Sequence, residues 1–171
     1  MKKLAILTTF VSVFAMQNAF AADGTVSFNG KITATACKID SSSTNVSMGT
    51  ISTSAFGTSA GITAAAKAFN IVLTECPSGS NYINVRFDGT PDAANPSILA
   101  LTPGTGVASN VGIALFESNG STLIPLNTNS AQKSITSGTN TLPYVAKYMS
   151  TAASVTAGSA DSTASFTIVY P

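Results

Sequence analysis

The 171-residue chain contains no histidine and no tryptophan, only two cysteines, and just 9% charged residues. An average soluble domain carries about a quarter charged residues. Each scarcity narrows the function. Without histidine, the commonest general base and the commonest metal ligand are missing. Eight basic residues against seven acidic ones form no positive footprint for nucleic acid. No cofactor or metal is expected. Apolar residues nevertheless make up 44% of the chain, and Ser, Thr, Val, Ile and Gly are abundant. That mixture suits pleated sheets and turns rather than disorder.

The longest apolar run sits at the start. Met1, Lys2 and Lys3 form a short basic head, residues 4–16 are apolar, and Ala19-Phe20-Ala21 is a small-x-small cleavage motif. Residues 1–21 therefore read as a secretory signal peptide cut before Ala22. The apolar run is too short for a transmembrane anchor, since about 30 Å of hydrocarbon must be crossed. No later segment is apolar enough to span a membrane. Removal of Lys2 and Lys3 leaves six basic residues against seven acidic ones.

Export gives the two cysteines a meaning. Cys37 and Cys76 are the only pair, and an oxidising compartment favours a bond between them. Two free thiols or a partial metal site are the alternatives, and zinc would lack its usual ligands here. A structural disulfide is the expectation.

A mature chain of this length is one domain. Short β-favouring stretches recur between Gly, Pro, Asn and Ser punctuation, at about residues 24–37, 45–51, 68–76, 82–87, 98–101, 111–116, 123–126, 144–149 and 164–170. Residues 62–68 are the only helix-compatible piece, too short to stand alone. Residues 52–63 and 91–110 are the expected long loops. About nine short strands imply an all-β antiparallel sandwich.

The two ends carry the most information. Val26, Phe28, Gly30 and Ile32 share one phase of the first stretch. A glycine inside a strand weakens it, unless another backbone or a bulky side chain passes close by. Phe166, Ile168 and Tyr170 alternate in the last stretch, with Pro171 behind them. No segment follows that would fold back as a further strand, so the sandwich is expected to have an open edge, which proteins normally cover.

Residues 22–37, reading A-D-G-T-V-S-F-N-G-K-I-T-A-T-A-C, resemble the N-terminal extension and first cysteine of chaperone–usher pilus subunits, those of type 1 fimbriae above all. The penultimate aromatic Tyr170, Gly158 in the C-terminal region, Cys76 after an alternating strand, and the stretch Ser109-Asn110-Val111-Gly112-Ile113 strengthen the likeness. The terminal Pro171 departs from it, where many members end in a polar side chain. The resemblance implies an incomplete immunoglobulin-like sandwich over residues 35–171, lacking its last strand. A donor strand from residues 22–34 of another copy would complete it in trans, with Val26, Phe28, Gly30 and Ile32 inserted. Gly158, Phe166, Ile168, Tyr170 and Pro171 would line the groove or contact a periplasmic chaperone before an outer-membrane usher brings the donor. The implied product is a surface fimbria, reached through the periplasm and supporting cell adhesion.

Three other readings compete. A minor pilus adaptor would share every one of these features. A secreted carbohydrate-binding sandwich would want aromatic platforms, yet Trp is absent and several Tyr and Phe residues sit in strand-core phase. An enzyme would need converging groups, yet the acids are scattered; Asp88 and Asp92 flank a turn, and Glu75 reads as an outward strand residue.

Overall fold

A computed structural model describes residues 24–30, 36–40, 45–79 and 82–171. The signal peptide and Ile32 lie outside the described residues. The chain divides into two units, Met1–Ile32 and Thr33–Pro171. In the first, the described residues have no regular secondary structure and are exposed; Val26 and Phe28 show 78% and 92% of their surface. They pair with no strand, so the strand expected from residue 24 onward is not formed there.

Among its described residues the second unit has seven strands: β1 (Lys38–Asp40), β2 (Thr63–Cys76), β3 (Tyr82–Gly89), β4 (Val111–Glu117), β5 (Lys133–Ser134), β6 (Gly138–Ser150) and β7 (Ala164–Val169). One sheet runs β1-β2-β6-β4 and the other β5-β3-β7, with every pairing antiparallel. A 3-10 turn at Thr53–Phe56, capped by the Ser52 hydroxyl, is the only helical element among the described residues. The all-β sandwich is as expected.

Alternation builds the core. On β3, Ile83, Val85 and Phe87 point inward and are almost wholly buried. On β6, Leu142, Tyr144, Ala146 and Tyr148 do the same. Strand β4 is buried along its whole length, because its outer residues Ala114 and Phe116 pack with Ile98 and partly buried Leu123, Val145 and Met149. Gly112 permits that packing: a β-carbon there would collide with the Leu99 carbonyl oxygen and the Ile98 side chain.

Several elements differ from the sequence reading. Residues 62–68 form the start of β2 rather than a helix, because seven residues cannot nucleate a helix against the pairing that β6 offers. Residues 45–51 alternate but pair with no strand among the described residues. Residues 98–101 shrink to bridges at Leu99, and 123–126 to one at Leu123. Conversely, β6 begins earlier than expected, at Gly138.

Two bulges interrupt β2, between Ala64 and Lys67 and between Leu73 and Cys76. Ala65 and Glu75 take positive φ there, at 54° and 51°. The second bulge has a visible purpose. Ile71 and Leu73 face the core, so strict alternation would put Glu75 inside. One extra residue resets the phase: Cys76 turns inward and Glu75 outward, beside Lys38 at 2.7 Å.

Candidate functional site: an open groove into the core

The core is not closed on all sides. A cavity of about 720 Å³ opens between segment 45–49 on one side and residues 160–166 on the other. Its floor is core from both sheets: Phe69 and Ile71 of β2, Phe87 of β3, Ile113 and Leu115 of β4, and Tyr148 of β6. Phe69 packs on Phe87 and on Tyr144, with ring centroids 6.2 and 5.9 Å apart, and Phe87 meets Tyr144 edge-on at 5.2 Å.

Strand β7 explains the opening. It pairs with β3 on one side, Phe166 opposite Phe87 and Ile168 opposite Val85. No strand among the described residues pairs with its other edge. The consequence is visible in burial. Val85 and Phe87 are 0% and 3% exposed, whereas Phe166 and Ile168, facing the same core, stay only partly buried. Their apolar surface lacks a neighbour on the open side, and an unpaired hydrophobic edge of this kind is a template for another strand.

The expected site residues separate into groups. Phe166 lines the cavity. Ile168 and Tyr170 follow it along the same strand phase and pack on the core without lining the cavity. The Tyr170 hydroxyl accepts a hydrogen bond from the Cys37 backbone N–H at 2.9 Å, which ties the C-terminal stretch to the first cysteine. Pro171 is exposed. Gly158 stands apart from the cavity lining; it lets the backbone at Ser159 bridge to Val107, and a β-carbon would strike the backbone of Gly106, Val107 and Ala108. Gly30 has nothing within 4 Å of where a β-carbon would be. Cys37 and Cys76 are joined by the disulfide, which fixes β1 to the end of β2.

Sequence reasoning missed the wall at 45–49 and the single carboxylate of the lining, Asp161. Burial first, and Asp161 second, raise the Tyr148 phenol above its ordinary pKa. Its hydroxyl donates to the Ala160 carbonyl at 3.1 Å, bracing the start of the groove wall. A second missed feature is Glu117, a buried acid that accepts from the Ala131 N–H and pairs with Lys133 at 2.6 Å. Lys133 also lies 5.4 Å from the centre of the Tyr144 ring. No local pattern announces this pair, because the partners meet only across the fold. Among the described residues, no cluster of three or more acidic, Cys or His residues is placed to hold a metal. No helix among them is long and apolar enough to cross a membrane.

A trough floored by core side chains beside an edge strand unpaired among the described residues is equipped to take up a strand, and proteins of known role share the architecture. Residues 26–171 match the model of the family described as fimbrial protein. The type-1 fimbrial protein subunit of Serratia marcescens is 38% identical, with 99% of each chain covered. The fimbrial subunit type 1 of Salmonella typhimurium is 35% identical over 98% of each. Among solved structures, the Burkholderia pseudomallei antigen and type I fimbria protein is 36% identical, with a TM-score of 0.61 over 81% of this chain and 91% of that one. The P pilus rod subunit PapA, at 21% identity and a TM-score of 0.64 over 79% and 99%, shares the fold. Sequence, architecture and open groove thus agree that the chain belongs to the fimbrial protein family, as a structural subunit.

Proposed function

We propose that the groove is an acceptor for a strand from a second copy, and that residues 22–34 are the strand each copy donates to its neighbour. Val26, Phe28, Gly30 and Ile32 form its inward phase, and residues 35–171 form the body that receives it. The observation that carries this reading is the cavity, where core residues of both sheets remain open beside the free edge of β7. The exposure of Val26 and Phe28 supports it from the other side: two large apolar residues in a segment without regular secondary structure bury little surface of their own. The unit boundary between Ile32 and Thr33 also falls near the end of the segment.

The energetics suit a lasting joint. Three large apolar side chains contribute about 5–9 kcal/mol on burial, and each backbone hydrogen bond of the added ladder about 0.5–1.5 kcal/mol. Donor segment and acceptor groove are different surfaces of one chain, so the contact is head-to-tail and propagates as a filament. Gly30 leaves room where a wall of the groove comes close.

Before assembly, the core side chains open at the floor of the groove need temporary cover. A periplasmic chaperone supplying a strand alongside Phe166, Ile168, Tyr170 and Pro171 fills that role, and an outer-membrane usher exchanges it for the donor. The product is the shaft of a surface fimbria that supports cell adhesion, exported through the periplasm. Deleting residues 22–32 tests the reading. The truncated subunit should fold, form its disulfide and accumulate, but add no further copy to a fibre. Normal fibres built from it would overturn the donor assignment.

A further inference from the structure

The sequence holds two Asn-Gly pairs, Asn29–Gly30 and Asn119–Gly120, and the structure treats them in opposite ways. Asn-Gly is chemically the weakest peptide link to deamidation, because no β-carbon shields the following amide nitrogen. At Asn119 every participant is tied down. Its Oδ1 accepts from the Ser121 and Thr122 N–H groups, and its Nδ2 donates to the Thr122 hydroxyl. The Gly120 nitrogen, the would-be nucleophile, donates to the Glu117 carbonyl at 2.8 Å. Asn29 and Gly30 are exposed, lie in a stretch with no regular secondary structure and outside any strand ladder, and have open space around the glycine.

We propose that Asn29–Gly30 is a spontaneous modification site that limits how long an unassembled subunit stays able to donate. The Gly30 amide nitrogen loses its proton to solvent and attacks Cγ of Asn29. A C–N bond forms, the Cγ–Nδ2 bond breaks and ammonia leaves, giving a five-membered succinimide. Water then opens the ring at either carbonyl, to aspartate or to isoaspartate. One water is consumed and one ammonia released, with no oxidant or catalyst. Isoaspartate routes the main chain through the side-chain carbon and so adds a methylene to the backbone. In a segment whose apolar residues must alternate, one extra backbone atom puts Val26 and Phe28 out of phase with Ile32. Either product also adds a negative charge.

In a fibre the situation reverses. A strand ladder holds the backbone extended, so the Gly30 nitrogen and the Asn29 Cγ are kept apart. The chemistry at Asn29 stands on its own; the consequence for assembly rests on the donor-strand reading. Assembly would thus protect the residue, while delay would disable it.

The test ages unassembled mature subunit and isolated fibres side by side at mildly alkaline pH, and maps aspartate and isoaspartate at both sites by peptide mass spectrometry with fragmentation. Asn119 must lose several hydrogen bonds before it reacts, so Asn29 of the free subunit is expected to convert at least about tenfold faster. Fibres are expected to keep Asn29 intact, and aged Asn29→Ser subunit to keep the assembly competence that aged native subunit loses. An inert Asn29 in the free subunit, or equal rates at Asn29 and Asn119, overturns the modification site and leaves the donor reading standing. Conversion in fibres as fast as in free subunit overturns the donor reading, and the timing role with it.

Discussion

Gly158 and Tyr170 show how much a single position near the end of the chain decides. Gly158 has no room for a side chain against the backbone of 106–108. Gly158→Ala is expected to destabilise the folded subunit by about 1–3 kcal/mol, the usual cost of overpacking, measured as a lower urea midpoint with an unchanged slope. Tyr170→Phe keeps the ring and removes only the acceptor for the Cys37 N–H. Its expected cost is about 1 kcal/mol, while Tyr170→Ala should in addition lower periplasmic levels by weakening chaperone capture. Tyr144 supplies a pH signature. Burial above all, with a further push from Glu117 against a hydrogen bond from Ser130, raises its phenol from 10.0 to about 12 in the folded chain. A raised folded pKa means stability that is complete below pH 10 and lost as pH climbs toward 12. Tyr144→Phe should flatten that decline, and Tyr148, raised in the same direction, contributes to what remains. An unchanged alkaline profile in Tyr144→Phe would contradict the assignment.

At the scale of elements, the loop between β4 and β6 is held by one partly buried ion pair. Glu117 on β4 grips Lys133 of β5 and the Ala131 N–H at once. Lys133→Met leaves the carboxylate without its cation and should cost up to about 3–5 kcal/mol, whereas pairing it with Glu117→Gln should recover much of the loss. A double variant no better than the single would mean that the two groups act independently. The legibility of the elements followed the same division between local and distant causes. Phe166, Ile168 and Tyr170 alternate because a strand against a core must do so, and that period is written in the sequence. Residues 45–51 alternate as well, through Val46 and Met48, yet have no neighbour to pair with. Pairing is a property of the fold, not of the segment. The Ala-rich residues 62–68 lose their helical preference to β6 for the same reason. The inward turn of Cys76 needed a bulge at Glu75 that no spacing rule displays, although the pairing of the two cysteines was readable from export and from their number.

At the scale of the molecule, an unfinished core is the central fact. The scarcity of charge, which in the sequence left little equipment for catalysis, is compatible with a structural fimbrial subunit. The C-terminal strand was legible because its apolar residues alternate, whereas the alternating residues of the N-terminal stretch form no strand among the described ones. An open groove was expected beside that strand, but its walls were not legible, since they come from segments 45–49 and 160–166, far apart in the chain. The claim that one copy's extension occupies another copy's groove is tested most directly by a photo-reactive phenylalanine analogue at position 28. Fibres grown from a mixture of isotopically light and heavy subunits are irradiated and mapped by mass spectrometry. The expected result is a cross-link from position 28 of one isotope to residues lining the groove, such as Phe87 or Phe166, of the other. Cross-links confined to a single isotope, or falling outside the groove, would contradict the account.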